Sequence, residues 1–250
     1  MDIVINNNLV HFDVINPQAQ KTCLILHGWN HHSQLWQDVA QNLPPSYRYL
    51  LLDLPGFGNS PLLPETAGIP EYADFILNFI KKNNLKNPIV IGHSFGGQIA
   101  AYLAIKNPHL FSGLILISPS INRFKSTKQK LKIFIYHRFN FLKKILPSKL
   151  LRLVLSQITS TDYYNSSPAH QNILKKIVNH DLTKQLGQIQ TPTFIIWGEN
   201  DTEIPYSGQV IANQIKNSRL YLLHNANHNP HLDPQSQLVP TLKHIFNQIL

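Results

Sequence analysis

The chain of 250 residues contains one cysteine, one methionine and only 13 acidic residues against 22 lysines and arginines. The single cysteine excludes an internal disulfide, and because Cys23 lies in the apolar run Thr22–Leu26 we predict a buried structural thiol. The N-terminus lacks the basic start, apolar centre and cleavage site of a signal peptide, which favours a reducing, cytoplasmic location. The longest uncharged stretch, residues 87–105, contains Pro88 and several glycines, so we do not expect a membrane helix there.

Short β-rich runs predict seven strands, and helical periodicity lies between or after most of them. The predicted strands are Leu9–Ile15, Thr22–Leu26, Tyr47–Leu52, Pro88–Ile91, Leu114–Ile117, Thr193–Trp197 and Leu220–Leu223. The predicted helices are Ser33–Asn42, with Ser33 as its N-cap, Glu71–Asn83, Gln98–Ala104 and Gln235–Leu250, which Pro240 interrupts early. Continuous apolar strands that alternate with helices predict an α/β fold with a parallel sheet covered on both faces.

This alternation stops between Ile121 and Gln190, where the pattern is helical only. Residues 122–190 contain thirteen lysines and arginines but only Asp162 and Asp181, so this segment carries the whole positive excess of a chain whose net charge is +9. We therefore predict a core domain formed by residues 1–120 and 191–250, and a basic helical cap, or lid, inserted at residues 121–190.

A serine between glycines follows one of the predicted strands. Gly92-His93-Ser94-Phe95-Gly96 matches the pattern G-x-S-x-G, with a strand before it and a helix after it. A sharp strand-to-helix turn leaves no room for side chains on either side of the corner residue, and it presents Ser94 near a helix N-terminus. The pattern thus predicts Ser94 as a nucleophile and the backbone N–H of Phe95 as an oxyanion donor.

A serine nucleophile needs a histidine base and an orienting carboxylate, and both types follow later predicted strands. Glu199, Asp201 and Glu203 follow Thr193–Trp197, whereas His224, His228 and His231 follow Leu220–Leu223. The chain order is therefore serine, acid, histidine, but position along the chain alone leaves three candidates for each partner.

The chain resembles the α/β-hydrolase family over nearly its whole length outside the cap. The matching segments are His27-Gly28-Trp29, Asp53-Leu54-Pro55-Gly56-Phe57-Gly58-Asn59-Ser60, the serine turn, Trp197-Gly198-Glu199-Asn200-Asp201 and Asn227-His228 with Pro230-His231-Leu232 behind it. The resemblance implies a mostly parallel eight-stranded sheet flanked by helices, Asp201 and His228 as the catalytic partners of Ser94, and the N–H of Trp29 as the second oxyanion donor. The family often has glycine before the histidine where this chain has Asn227, and asparagine tolerates the same left-handed backbone.

The predicted function is a serine hydrolase that cleaves a carboxylic ester, or a related small-molecule acyl compound, through a Ser-His-Asp triad and a covalent acyl-enzyme. The same triad also serves thioester hydrolysis, carbon–carbon bond hydrolysis and acyl transfer, and the sequence does not separate these reactions. Family members that open epoxides or displace halides carry aspartate in place of Ser94, so neither activity is expected.

No cofactor and no metal site are predicted. His31 and His32 adjoin one another without the spacing of metal ligands, and the glycines fit neither a phosphate-binding loop nor a dinucleotide fingerprint. His27 is interpreted as a structural histidine, and Asp53 as a turn residue that braces Gly56 and Gly58.

The basic cap raises the question of a partner. Ten basic residues and no acidic one lie from Arg123 to Arg152, interleaved with aromatic and aliphatic residues. A lid that turns its lysines to water accounts for this pattern, but a weak association with an anionic membrane surface, or a non-catalytic binding or sensing role there, is left open. Nucleic acid is not expected as a partner, because no recognised reading motif accompanies the charge.

Overall fold

Eight strands form a single sheet in the computed structural model, which describes residues 1–121 and 166–249. The strands are β1 (Asp2–Ile5), β2 (Asn8–Ile15), β3 (Lys21–Leu26), β4 (Tyr47–Leu52), β5 (Ile89–His93), β6 (Gly113–Ile117), β7 (Thr193–Gly198) and β8 (Ser218–Leu223). Their order in the sheet is β1-β2-β4-β3-β5-β6-β7-β8. Strand β2 pairs antiparallel with both of its neighbours, and every pair from β4 to β8 is parallel.

Helices cover both faces of this sheet. They are α1 (Gln37–Gln41), α2 (Ile69–Lys82), α3 (Phe95–Lys106), α4 (Pro168–Asn179), α5 (Gly208–Gln214) and α6 (Leu238–Phe246), with 3-10 turns at Ser33–Trp36, Thr183–Gln188 and Pro230–Leu232. Alternate residues of each central strand face opposite layers: Leu24 and Leu26 pack in the layer of α2 and α3, whereas Cys23 and Ile25 pack in the layer of α1 and α6. Both sets must be apolar, which explains why these strands read as continuous apolar runs.

The predicted fold class is confirmed: the sheet has eight strands, is mostly parallel and is flanked by helices. The seven predicted strands all form, with ends that differ by no more than a few residues. The eighth, β1, had not been located in the sequence, because it is a short edge strand in which only Ile5 is buried.

Two local predictions were wrong. Ser33 is not an N-cap: a 3-10 turn starts at this residue, and its hydroxyl donates to Asp13 on β2 at 3.0 Å while its N–H donates to Asp53. Pro240 does not interrupt the last helix, because it lies in the first turn of α6, where the missing N–H has no partner to lose.

The basic segment 122–165 lies outside the described residues, so the predicted cap and its boundaries stay a prediction. The described C-terminal part of the predicted cap, residues 166–190, contains α4 and the 3-10 turn Thr183–Gln188. Ile173 and Ile177 of α4 are buried in the same layer as α2 and α3, and Gln98 of α3 donates to the carbonyl oxygen of His180 at 2.7 Å. None of the helices in the described ranges has the length and apolar character needed to span a bilayer.

Candidate active site

The predicted site residues gather at one edge of the sheet. Strands β3, β5, β7 and β8 are parallel, so the loops after their carboxyl ends lie side by side. These loops line a cavity of about 220 Å³. Its walls include Trp29 after β3, Ser94 after β5, Glu203 after β7 and His228 after β8.

Ser94 occupies a strained turn between β5 and α3. Its backbone has φ 51° and ψ −110°, outside the regions that ordinary residues favour. A Cβ on Gly92 would lie 2.7 Å from the carbonyl oxygen of Gly96, and one on Gly96 would lie 2.3 Å from the carbonyl oxygen of Leu26. The two glycines therefore let α3 and β3 approach the corner closely, as the sequence pattern predicts, and the corner places Ser94 at the N-terminus of a twelve-residue helix.

His228 is held by a carboxylate. Its Nδ1–H donates to Oδ2 of Asp201 at 2.8 Å, and the two side chains are only 6% and 1% exposed. With the proton on Nδ1, the lone pair of the neutral ring is on Nε2, the nitrogen that a general base in this fold uses.

Asp201 is itself fixed by the loop that carries it. Its second oxygen, Oδ1, accepts hydrogen bonds from the backbone N–H groups of Glu203 at 3.0 Å and Ile204 at 3.1 Å. Burial acts to raise the pKa of Asp201, but the hydrogen bond and charge of His228 and the N–H of Ile204 outweigh it, so the pKa is held below its ordinary value. The carboxylate is therefore ionised at neutral pH and oriented towards the imidazole.

The other acids and histidines of these loops have different partners. Glu199 pairs with the exposed His224 at 2.9 Å, and Glu203 accepts from the side-chain amide of Asn229 at 3.0 Å. His231 is buried with its ring stacked on Trp36, at a centroid distance of 4.4 Å. Two acid–histidine pairs therefore form among the candidates, and Asp201–His228 is the buried pair, whose histidine lines the cavity together with Ser94, whereas Glu199–His224 is exposed.

The two predicted oxyanion donors, Trp29 and Phe95, have side chains that pack in one aromatic cluster. Among the described residues, neither the N–H of Trp29 nor that of Phe95 is bonded to another backbone group. The Trp29 ring lies edge-on to Phe57, Phe95 and His170, at centroid distances of 4.8, 5.5 and 6.1 Å. Helix α4 contributes His170, whose Nε2–H donates to the carbonyl oxygen of Gly56 at 2.9 Å. Phe57 and Phe95 are themselves buried, so of these rings it is Trp29 that lines the cavity.

His27 and Asp53 have the contacts of structural residues. Nε2 of His27 accepts from the N–H of Leu54 at 2.9 Å and its Nδ1–H donates to a carbonyl oxygen, while burial lowers its pKa to about 4. Asp53 accepts from the N–H groups of Ser33 and Asn59. These bonds agree with the structural roles that the sequence suggested for both residues.

A cluster of three histidines beside the cavity was missed by sequence analysis. One ring nitrogen from each of His31, His93 and His231 lies within 4.8 Å of the others. The three residues come from distant parts of the chain, so no local spacing could have indicated the cluster. His93 and His31 also line the cavity that contains Ser94 and His228.

A strained serine turn at the carboxyl edge of a mostly parallel sheet, with a carboxylate-bonded histidine on the same cavity, is typical of hydrolases of the α/β class. The model of the alpha/beta hydrolase fold matches residues 21–235, and the chain belongs to this family of enzymes.

Curated relatives of the chain are hydrolases and esterases of low identity. One is the 2-hydroxy-6-oxononadienedioate/2-hydroxy-6-oxononatrienedioate hydrolase 2 of Pseudomonas putida, 23% identical over 92% of this chain and 90% of its own length. Another is the pimeloyl-[acyl-carrier protein] methyl ester esterase of Legionella pneumophila (strain Corby), 28% identical over 84% of this chain and 88% of its own length. Among solved structures, a putative lipase from Acinetobacter baumannii superposes with a TM-score of 0.79 at 21% identity, covering 100% of this chain and 91% of that one.

Proposed function

We propose that the protein hydrolyses a carboxylic ester, or a related acyl compound, through a covalent intermediate on Ser94. The observation that carries this proposal is the hydrogen bond between His228 and Asp201, made on the wall of the cavity that Ser94 also lines. His228 removes the proton of Ser94, whose oxygen bonds to the substrate carbonyl carbon. The negative charge that develops on the carbonyl oxygen is stabilised by the N–H groups of Trp29 and Phe95.

The first half-reaction ends when the bond between the acyl carbon and the leaving oxygen breaks. The leaving group takes the proton that His228 holds, and the acyl group stays on Ser94. In the second half-reaction a water molecule loses a proton to His228 and attacks the acyl carbon. The bond between this carbon and the Ser94 oxygen then breaks, the carboxylic acid leaves, and His228 returns the proton to the Ser94 oxygen. Asp201 stays ionised throughout, because its role is to keep Nδ1 of His228 protonated and to stabilise the imidazolium.

The Trp29 ring offers apolar surface to an acyl or alcohol group in the cavity, and burying apolar substrate surface against it is favourable. The other residues that line the cavity are glycine or polar. By their names, one relative is a methyl ester esterase and another hydrolyses a dienedioate or trienedioate. The same triad chemistry also accommodates thioester hydrolysis, carbon–carbon cleavage and acyl transfer.

Covalent labelling tests the mechanism directly. A fluorophosphonate probe is expected to label the wild-type protein on Ser94 and to leave Ser94→Ala unlabelled. The control is Ser60→Ala, since Ser60 is a buried serine whose hydroxyl accepts from the N–H of His11 and lies outside the site. Labelling of Ser94→Ala at the wild-type rate would contradict the proposal.

A panel of chromogenic esters from acetyl to long-chain acyl groups defines the substrate. Hydrolysis of any member by the wild type, lost in Ser94→Ala, supports the ester proposal. Labelling at Ser94 without hydrolysis of any ester would instead direct the search to acyl transfer or carbon–carbon cleavage.

We also propose that residues 123–152 give the enzyme a weak attraction to anionic membranes, because this segment contains ten basic residues and no acidic one. Such an attraction depends on surface charge and is screened within about 10 Å at 0.1 M salt. Co-sedimentation with vesicles is expected to require anionic lipid and to weaken as salt is raised. Equal sedimentation with neutral and anionic vesicles would exclude it.

A further inference from the structure

The three clustered histidines reach one point from three separate loops. His31 lies in the loop after β3, His93 is the last residue of β5, and His231 lies in the 3-10 turn Pro230–Leu232. The ring centroids of His31 and His231 are 5.2 Å apart, and those of His93 and His231 are 4.8 Å apart. Side chains from different loops meet here only because the tertiary fold brings them together.

One ring nitrogen of His93 keeps its lone pair. Its Nε2 lies 2.9 Å from the carbonyl oxygen of His228, and since a carbonyl only accepts, Nε2 carries the proton and Nδ1 the lone pair. Nδ1 is buried and has no hydrogen-bond partner among the described residues. A Cβ on Gly28 would lie 2.7 Å from this nitrogen, so the glycine leaves the space in front of it open.

His231 adds a second buried ring without polar partners. It is 8% exposed, and within the described part of the chain neither of its nitrogens has a hydrogen-bond partner. Its ring stacks on Trp36 with an interplanar angle of 7°, which fixes the plane in which its nitrogens point. Buried polar atoms are normally paired, so these nitrogens are available to a ligand.

Both buried rings are neutral. Burial, followed by the neighbouring histidines, lowers the pKa of His93 well below its ordinary value and that of His231 to about 3. A neutral imidazole is the form that coordinates metal ions, so neither ring has to lose a proton at neutral pH.

We propose that His31, His93 and His231 form a binding site for one divalent transition-metal ion that prefers nitrogen ligands, such as Zn²⁺. The cluster contains three imidazoles and no carboxylate, which suits Zn²⁺, Cu²⁺ or Ni²⁺ and not Mg²⁺ or Ca²⁺. Bonds of 2.0–2.1 Å in tetrahedral geometry place ligand nitrogens about 3.3 Å apart, so the cluster must contract on binding. His31 is the half-buried member on a loop, and it is the side chain that can make this movement.

The surroundings of His93 are those of a metal ligand. Its second nitrogen donates to a backbone carbonyl, as the outer nitrogen of a coordinating histidine usually does, and this fixes its tautomer and ring orientation. The carbonyl belongs to His228, and Ser94 follows His93 directly in the chain. If the proposed function holds, a bound ion connects through His93 to Ser94 and His228, and we expect it to inhibit hydrolysis reversibly.

Binding is measured without reference to activity, on tag-free full-length protein. Equilibrium dialysis against Zn²⁺ and the visible absorption of bound Co²⁺ give stoichiometry and affinity. The matched variants are His31→Gln and His231→Gln, and the control is His224→Gln, which removes an exposed histidine paired with Glu199. We expect one ion per chain in the wild type and in His224→Gln, and at least about tenfold weaker binding in the other two.

Thermal unfolding shows whether each variant is folded and whether metal binds its folded state. Zn²⁺ is expected to raise the melting temperature of the wild type, because it binds the folded state, and to raise that of His31→Gln much less. His31→Gln is the safer variant, since this side chain is only half-buried. The Ser94→Ala variant, inactive under the proposed function, is expected to keep its metal affinity, so failure of the enzymatic proposal and failure of the metal site give different results.

Two outcomes overturn the site. One is wild-type metal affinity in both His31→Gln and His231→Gln with the fold intact. The other is loss of binding in His228→Gln together with full binding in His31→Gln, which would place the ion on the proposed catalytic residues.

Discussion

Replacing Asp201 by asparagine tests the orientation of His228 more sharply than a deletion does. Asparagine has the shape of aspartate but only one oxygen. Oδ1 of Asp201 accepts from the N–H groups of Glu203 and Ile204, so the asparagine carbonyl is expected to keep these two bonds. Its NH₂ group must then face Nδ1 of His228, where Oδ2 now lies at 2.8 Å.

An amide that donates to Nδ1 reverses the tautomer of the imidazole. The proton moves to Nε2, and the nitrogen that faces the substrate side loses its lone pair. Wrong-tautomer substitutions of this kind lower turnover by about 10⁴ in serine hydrolases with a Ser-His-Asp triad, which corresponds to about 5.4 kcal/mol of transition-state stabilisation. Substrate binding does not use the carboxylate, so the loss is expected in kcat and not in KM.

The matched control is Glu199→Gln, the same chemical change on the same loop, at an acid that pairs with the exposed His224. It is expected to stay within about twofold of the wild type, because exposed ion pairs contribute little. Both variants are assayed by steady-state hydrolysis of the best chromogenic ester, with circular dichroism to verify folding. A folded Asp201→Asn enzyme that retains a tenth or more of wild-type kcat would refute the assigned role of Asp201.

Three further predictions concern stability and reactivity. Gly96→Ala is expected to destabilise the protein by about 2 to 3 kcal/mol in urea unfolding, because its Cβ would lie 2.3 Å from the carbonyl oxygen of Leu26. The control is Gly187→Ala, whose Cβ would have no backbone atom closer than 3.6 Å and which should unfold near the wild-type midpoint. Equal unfolding midpoints of the two variants would contradict the close packing at Gly96. Cys23 is buried, and its pKa is raised far above the ordinary value, so an aromatic disulfide reagent should react with it only after denaturation. Rapid reaction of the native protein would contradict this prediction, because it would show that the thiol is accessible. The pKa of Asp201 in the folded state is lowered from 3.8, so the carboxylate stabilises the protein above that pH, and this stabilisation is lost as the pH falls through the folded-state pKa. The difference in unfolding free energy between the wild type and Asp201→Asn should therefore become smaller on acidification. A difference that becomes larger would contradict the prediction.

The fold was largely predictable because the sheet is buried on both sides. Strands such as β3 and β5 bury apolar residues on both faces, and the resulting apolar runs are easy to recognise in the sequence. Strand β1 lies at the sheet edge and buries only Ile5, so it has no comparable pattern. Ser33 shows a different limit: its hydroxyl bonds to Asp13 across the fold, and a tertiary partner of this kind overrides a local capping preference.

The candidate site was predictable to the extent that its residues follow strands. The glycines around Ser94 carry a local signal, since their spacing reflects steric contacts within one turn. The choice of Asp201 over Glu199 and Glu203 has no such signal in the spacing, because all three acids share one loop. Only the direction in which each side chain points separates them, and at the sequence level the choice depended on family resemblance.

His93 shows how two proposed sites can be coupled through one residue. Its backbone continues into the strained turn of Ser94, its Nε2–H donates to the carbonyl oxygen of His228, and its ring lies against the rings of His31 and His231. A serine turn needs only a residue of suitable size before the serine. The turn alone therefore does not explain why His93 contacts three other histidines, His31, His228 and His231. Because the same ring touches the base loop and the histidine cluster, a ligand on the cluster can alter the position of His228 through His93. An ion bound there should therefore lower kcat more than it raises KM, whereas an ion bound directly by Ser94 and His228 should compete with substrate.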